Sequence, residues 1–368
     1  MSIYDDLMGK KKRVVSVSVE RDEFTDAVCN AFDFNFTGRT EFTTWEKPDV
    51  PKDFSLGLIV GKSGSGKTLL LKEFGTPDVV TWEKKKAIVS QSGATPDEAM
   101  DALMSVGLNS KPNWVSTFNV LSMGEQYRAN VARTIRSGAV YDEFTSVVDR
   151  DTAKSLSVSL RRHIDDKGLK GVVVATCHED IIEWLQPDWV FNSNTGELSV
   201  GRSLRTPIEL QIFRSDTSTW GLFAPYHYLS HSINPAARCY VATWEGKLVG
   251  FSAVLPFPSA IKHAWRGHRT VVFPKFQGMG IGVRLSDAMG KILLEQGKRF
   301  FSRTAHPRMG QYRENSPLWK ATTKNLVYRT DNRGTIRESM RYKKGTVVPK
   351  EERDIRRVCY SHEYIGQV

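Results

Sequence analysis

Eight consecutive residues, Gly61-Lys62-Ser63-Gly64-Ser65-Gly66-Lys67-Thr68, constrain this chain more than any others, because they fill the spacing G-x-x-x-x-G-K-[ST]. An apolar run, Leu56 to Val60, precedes them and Leu69-Leu70-Leu71-Lys72-Glu73 follows. The order reads strand, glycine-rich turn, helix. Glycines in such a turn let backbone N–H groups curl around phosphate oxygens, and the mouth of the helix adds positive dipole. Lys67 is placed to reach the β- and γ-phosphates, and the Thr68 hydroxyl to help hold Mg²⁺. The expectation is a nucleoside triphosphate site that takes ATP with Mg²⁺.

At 368 residues the natural expectation is two domains, and 40% hydrophobic residues suffice for two cores. No stretch approaches the roughly 18 uninterrupted apolar residues of a membrane span. Met1-Ser2-Ile3-Tyr4-Asp5-Asp6 lacks the basic-then-apolar order of a signal peptide, and Lys10-Lys11-Lys12-Arg13 reads as a solvated end. Cys29, Cys177, Cys239 and Cys359 are scattered without metal spacing, which suits a reducing cytoplasm. Charge is divided unevenly. Residues 1–200 hold 24 Lys and Arg against 29 Asp and Glu, a net of −5, whereas residues 201–368 hold 28 against 12, a net of +16. The second half is therefore expected to meet an anionic partner, nucleic acid first, with a solvated basic surface as the alternative.

In the first half, Arg13 to Glu20 alternates through Val15, Val17 and Val19 as a strand, and Phe32, Phe34, Phe36, Phe42 and Trp45 read as further β material packed in the core. One of these rings stacking on adenine is the alternative. Ala87-Ile88-Val89-Ser90-Gln91 reads as a short strand. Thr95-Pro96-Asp97-Glu98 forms a capping box with proline at the first helical position, and Gly107 suits the helix end. Ser122 caps a helix carrying Tyr127, Val131 and Ile135, with Glu125 closing the box. Ala139-Val140-Tyr141-Asp142-Glu143 is a strand ending in two carboxylates, a Walker B arrangement in which one serves Mg²⁺ and the next polarises water. Ser146-Val147-Val148-Asp149 leads into a helix with Leu156, Leu160 and Ile164, and the strand Val172 to Thr176 delivers His178.

Taken in order, the P-loop, Gln91, Leu121-Ser122-Met123-Gly124-Glu125, Asp142-Glu143, Asp149 and His178 resemble the nucleotide-binding domain of the ABC ATPases over roughly residues 10–200. The resemblance implies that Gln91 senses Mg²⁺ and γ-phosphate, that Thr68, Gln91 and Asp142 surround the metal, and that Glu143 and His178 are catalytic. Ser122 and Gly124 would meet nucleotide, although Met123 and Glu125 depart from the family's Leu-Ser-Gly-Gly-Gln and put the tightness of the closed state in doubt. Transporters of the family carry a longer helical subdomain between the positions of Gln91 and Ser122, so transport is not the expected role. Because the family's signature helix faces the nucleotide of the opposite subunit, the resemblance implies a head-to-tail homodimer.

Asp188 to Phe191 and Glu197 to Val200 flank a hairpin turn, and residues 201–207 read as a basic connector. A second fold begins at the strand Ile208 to Phe213, followed by a helical segment, Trp220 to Ser230, and a hairpin of Cys239 to Trp244 with Leu248 to Val254. The strand Arg269 to Phe273 leads to Gln277-Gly278-Met279-Gly280-Ile281-Gly282 and a helix with Ile281, Leu285, Met289 and Ile292 that ends at Gly297. This is G-x-G-x-G, not the dinucleotide G-x-G-x-x-G, and no acidic residue closes the next strand, Arg299 to Thr304. The order resembles the GNAT acyltransferases over roughly residues 208–368, with Gln277, Gly280 and Gly282 filling [QR]-x-x-G-x-[GA]. That resemblance implies that the amides of Gln277 to Gly282 hold the pyrophosphate of acetyl-CoA or another acyl-CoA. Val271, Val272 and Phe273 would line the pantetheine arm, and divergence of the two flanking strands would open an acyl slot.

Carboxylates are sparse between residues 217 and 310, with Glu245, Asp287 and Glu295 read as turn or helix-surface residues, so His227, Tyr228 and His306 are the candidate proton carriers, each with packing or capping as its alternative. Tyr226-His227-Tyr228 with His306-Pro307-Arg308, Arg313 and Ser316-Pro317-Leu318-Trp319 resembles a prokaryotic and phage lineage of fused ABC ATPase and acetyltransferase. The similarity to Mom-type enzymes that modify adenine in DNA is shorter. Arg329 to Arg357, with Tyr328 and Tyr342 interleaved, suits phosphate tracking or a solvated face before a last strand, Val358-Cys359-Tyr360. The expected fold class is thus α/β, a P-loop ABC-type domain over 1–203 followed by an α+β GNAT-like domain over 208–368. The leading function is ATP-gated acyl transfer to an amine on nucleic acid; the alternatives are an ATP-dependent nucleic-acid clamp with an inactive GNAT-like docking module, and base modification.

Overall fold

A computed structural model describes residues 11–202, 207–227, 232–328 and 358–366. The chain divides into two compact units between Pro207 and Ile208. In the first, β1 (Lys12–Ser18) pairs antiparallel with β2 (Arg39–Trp45). A separate sheet holds β3 (Leu56–Val60), β4 (Val140–Tyr141), β5 (Val172–Thr176), β6 (Trp189–Asn192) and β7 (Glu197–Val200) in the order β4-β5-β3-β6-β7. All of its pairs are parallel except β6 with β7. Every residue of β3 and β5 is buried, as expected for apolar runs in a parallel sheet covered on both faces. Leu103, Ala129, Leu156, Leu160 and Ile164 pack from the helices Pro96–Ser105, Met123–Thr134 and Arg150–Lys167 onto Leu56 and Leu58. The Thr95/Glu98 capping box forms: Thr95 Oγ1 accepts from the Glu98 N–H at 3.2 Å, and Glu98 accepts from the Thr95 N–H at 3.3 Å.

Two expectations for this unit are corrected. Residues Glu23–Phe32 form a helix, started by a capping box between Asp22 and Thr25, and Phe32 and Phe34 lie exposed instead of packing a core. Ala87 to Gln91 is not a strand: Val89–Gln91 is a 3₁₀ turn, and only Ala87 makes a bridge, to Thr117. Ser92 closes that turn by donating its hydroxyl to the Ile88 carbonyl at 2.7 Å. The helix after the P-loop is a single short piece, Lys67–Leu71.

The second unit contains β8 (Gln211–Ser215), β9 (Arg238–Trp244), β10 (Lys247–Pro256), β11 (Ala264–Val272), β12 (Arg299–Thr304), β13 (Trp319–Ala321), β14 (Val327–Tyr328) and β15 (Val358–Tyr364). Their order is β13-β15-β12-β11-β10-β9-β8, with β14 beside β15. The helix Ile281–Glu295 links β11 to β12, the one parallel pair among the described strands of this unit. Glu245 and Gly246, at φ 49° and 72°, turn the β9–β10 hairpin. The long helix expected over Trp220 to Ser230 is shorter: Trp220–Phe223 is α-helical and Ala224–Tyr226 is 3₁₀, because Pro225 has no N–H to continue the ladder. Residues 228–231, most of the 201–207 connector and the basic stretch 329–357 lie outside the described residues.

One glycine of this unit is fixed by packing. A Cβ on Gly290 would fall 2.2 Å from the ring of Tyr364. In an open helix Gly→Ala gains about 1 kcal/mol, but overpacking costs about 1–3 kcal/mol. Gly290→Ala is therefore expected to lower stability by up to about 2 kcal/mol, read as a reduced midpoint in urea. A raised midpoint would contradict this packing.

Candidate functional sites

At two of its glycines the P-loop has no room for a side chain. Gly61 (φ 156°) faces Ser193, whose Oγ would lie 2.1 Å from an added Cβ, and Gly66 (φ 86°) faces Thr44 Oγ1 at 2.4 Å. Asn194 Oδ1 accepts from the Lys62 N–H at 3.1 Å, and the Ser65 and Ser193 hydroxyls meet at 2.6 Å. Trp45 Nε1 donates to the Ser193 carbonyl at 2.8 Å, tying β2 to the same turn. The backbone N–H groups of Ser63, Gly64, Gly66, Lys67 and Thr68 donate to no protein acceptor among the described residues. Buried Lys67 bonds the Lys62 carbonyl at 2.8 Å, so its ammonium sits over the loop. These are the fixed donors that a triphosphate needs. Ser193 and Asn194 were not among the expected site residues; they act 132 positions from Lys62, in the case of Asn194, and only the adjacency of β3 and β6 brings them there.

Asp142 leaves the end of β4 and accepts from the Thr68 hydroxyl at 2.7 Å. The two proposed Mg²⁺ ligands of Walker A and Walker B type are thus in contact. Among the described residues no group of three His, Cys, Asp or Glu side chains could hold a metal alone. A hydroxyl and one carboxylate suit Mg²⁺ that arrives with phosphate oxygens and keeps its waters. Glu143 follows with φ 49°, and its carboxylate accepts from Ser146 Oγ at 2.6 Å. His178, just past β5, places Nδ1 3.2 Å from Thr145 Oγ1. Burial and then the charge of Arg150 hold the His178 imidazole below its ordinary proton affinity, against Asp180 and Glu143.

Gln91 stands apart from this group by its hydrogen bonds. Its Oε1 accepts from the Glu83 N–H at 2.9 Å and its Nε2 donates to the Lys86 carbonyl at 3.2 Å, so both ends of the carboxamide are engaged in the 83–86 loop. The Ser122 hydroxyl donates to Glu125 at 2.8 Å, and Gly124 sits 3.0 Å, measured from an added Cβ, from Val148 beside the Walker B turn. Glu125, with Met123 one of two departures from the expected pattern, thus engages the Ser122 hydroxyl.

In the second unit, β11 and β12 pair only over Ala264–Arg266 and Arg299–Phe301. Beyond that point β11 continues on β10 to Val272 while β12 continues on β15 to Thr304, so the two strands part and leave a cleft in the sheet. The glycine loop stands at the end of β11. Gly278 and Gly280 take φ 90° and 82°, while Met279 and Ile281 are buried and point the chain's apolar side inward. Gln277 Nε2 donates to the Val272 carbonyl at 2.7 Å and ties the loop to the strand. The N–H groups of Gly278 through Gly282 donate to no protein acceptor among the described residues. Val271 and Val272 are buried, and Phe273 stacks on Phe223 with ring centroids 4.4 Å apart.

The candidate proton carriers are less well gathered. His227 is buried with its ring edge on Trp220, and Tyr228 lies outside the described residues. His306 caps the helix Pro307–Asn315, and its N–H donates to Thr304 Oγ1 at 3.0 Å. His268, which was not expected, accepts from the Asn234 N–H at Nε2 (3.2 Å); burial, Arg269, Arg266 and His227 push its proton affinity down to about 4. Asp287 is not a surface residue: it accepts from Trp319 Nε1 at 2.7 Å and from the Tyr312 hydroxyl, and burial raises its carboxyl above the ordinary range. Beside it, buried Arg313 donates to Ser286 Oγ at 2.8 Å and lies over the Trp319 ring. A surface hollow of about 480 Å³ between Lys47 and Phe74 holds none of the predicted site residues.

The second unit is therefore an α+β sheet parted at a parallel pair, with a glycine loop of free amides at the parting. Residues 205–311 match the family model described as the Acetyltransferase (GNAT) family. No curated protein matches the chain. Among solved structures, an IAA acetyltransferase from Bacillus cereus is 14% identical, covering 42% of this chain and 99% of its own at a TM-score of 0.29. The ribosomal-protein-S18-alanine N-acetyltransferase of Escherichia coli is 13% identical, covering 44% and 96%, also at 0.29. A bacterial ABC transporter cassette, solved as a dimer, is 15% identical and covers 44% and 94% at 0.34. Among the described residues no helix is long and apolar enough to cross a membrane.

Proposed function

We propose that this chain is an ATP-hydrolysing, acyl-CoA-dependent N-acyltransferase whose acceptor amine lies on nucleic acid. The observation that carries the transferase reading is the cleft between β11 and β12 with five unengaged amides at its mouth, inside the segment matched by the GNAT family model. Acyl-CoA supplies the activated thioester. The chain's part is to hold the diphosphate on Gly278 to Gly282, to seat the pantetheine arm along Val271 to Phe273, and to admit an amine from the open side of the cleft. For the first unit, the Thr68–Asp142 contact and the free P-loop amides support binding of ATP with Mg²⁺, and Glu143 with His178 supports its hydrolysis. The exposed Ser122 end of the signature helix supports a head-to-tail homodimer.

Charge supports the anionic acceptor. Phe257 and Phe301 meet at 6.1 Å on one face of the sheet, and Arg266 lies over Phe257. By strand alternation Arg303 shares the face of Phe301. Arg266 and Arg303 make no ion pair among the described residues, while Arg299 spends its charge on Glu363. Exposed guanidinium groups interleaved with aromatic rings suit phosphates and bases. The burial that chiefly depresses His268, helped by the charges of Arg269 and Arg266, would likewise favour an uncharged, nucleophilic amine in that environment. The test is transfer of isotope-labelled acetyl from acetyl-CoA to nucleic acid co-purified with the full chain, read as a mass increment on its nucleosides. Labelled nucleosides are expected. Acetyl-CoA binding with no label in any nucleoside would overturn the acceptor, and absence of acetyl-CoA binding would leave a nucleic-acid clamp.

A further inference from the structure

Between the Walker B carboxylates and the helix Arg150–Lys167 lies a residue with no role in the reading above. Thr145 is fully buried and adopts φ 70°, a left-handed conformation that is an outlier for a β-branched side chain. Such backbone is costly and persists where the surroundings over-determine it. Here the neighbours do so: the Phe144 N–H donates to the Ala175 carbonyl of β5 at 2.8 Å, and the Ser146 N–H donates to the Glu143 carbonyl at 3.0 Å. The result is that the Thr145 hydroxyl is set against His178, two residues past the end of β5, with Oγ1 3.2 Å from Nδ1.

The direction of that bond follows from burial. His178 Nδ1 is the one partner of the Thr145 hydroxyl among the described residues. A hydroxyl that accepted from Nδ1–H would leave its own proton buried without an acceptor, which is costly. Donation to Nδ1 avoids this, and it leaves the imidazole proton on Nε2.

We propose that Thr145 is a positioning residue for His178, holding the ring by an O–H···Nδ1 bond as the Nε2–H tautomer, ready to donate to a terminal phosphate oxygen. This rests on the ATP reading of the first unit. The bond also stabilises the neutral ring, in the same direction as burial and Arg150 and against Asp180 and Glu143, the charged groups around it.

The test is ¹⁵N NMR of histidine-labelled, nucleotide-free full chain, with His178 assigned by the His178→Gln variant. The wild type is expected to show His178 with Nδ1 unprotonated and Nε2 protonated. Thr145→Val should move the His178 titration upward, toward about 6.5. The acid limb of the ATPase profile should shift the same way, with turnover near pH 6 down by at most about fourfold, the neutral fraction left by a titration near 6.5, and Thr145→Ser should restore both. Protonated Nδ1 in the wild type, or a Thr145→Val titration and acid limb unmoved from wild type, would overturn the proposal. Should Thr145→Val not fold, the wild-type spectrum decides by itself. A chain that shows the Nε2–H tautomer yet hydrolyses no ATP would refute the ATP reading and keep the bond.

Discussion

Glu143→Gln is expected to slow ATP hydrolysis by about 10²–10³-fold while leaving ATP binding intact. Glu143 follows Asp142 at the end of a buried strand, where the positive φ turns it away from the strand direction. A positioned general base contributes about 10²–10⁴ in rate. Glutamine has the same shape and still accepts from Ser146 through its amide oxygen, so the turn keeps the hydrogen bond that holds it. Lost turnover would therefore report chemistry and not folding. With hydrolysis blocked, the ATP-bound form accumulates, and the head-to-tail assembly predicts a doubling of mass in light scattering when MgATP is added. Phosphate release within threefold of wild type would remove Glu143 from the catalytic role. A monomer that holds MgATP would remove the dimer.

The second large effect is at the other glycine loop. Gly280→Val places a β-branched residue at φ 82°, immediately before the helix Ile281–Glu295. The backbone strain of about 1–3 kcal/mol adds to the side chain's obstruction of the amides that would hold a diphosphate. At about 1.4 kcal/mol per tenfold, acetyl-CoA affinity should fall at least a hundredfold. ATP binding by the first unit should not change, which separates a local effect from unfolding. Unaltered acetyl-CoA affinity in this variant would move the cofactor away from the glycine loop.

Much of this was legible in the sequence because the chemistry sits in contiguous residues at strand ends. The P-loop, Asp142, Glu143 and His178 each follow a short apolar run, and parallel strands align their ends without further information. The parting of β11 from β12 was expected only through the resemblance to the GNAT acyltransferases. What escaped is what depends on distant segments. Asn194 and Ser193 shape the P-loop only because β6 lies beside β3. Asp287 reads as a helix-surface carboxylate until Tyr312 and Trp319, from 25 and 32 positions along, cover it. The helix Glu23–Phe32 was hidden because its aromatic residues suggest a strand, whereas the Asp22/Thr25 capping box decides the local conformation. Gln91 follows an apolar run too short to tell from a turn, and its carboxamide settles on the preceding loop.

The central claim is that one chain carries two separate phosphate cradles, and calorimetric titration of the full chain with MgATP and with acetyl-CoA tests it most directly. Two saturable events are predicted, with Lys67→Ala abolishing the first alone and Gly280→Val the second alone. Loss of both events in either variant, or no heat with acetyl-CoA at any concentration up to the millimolar range, would contradict it.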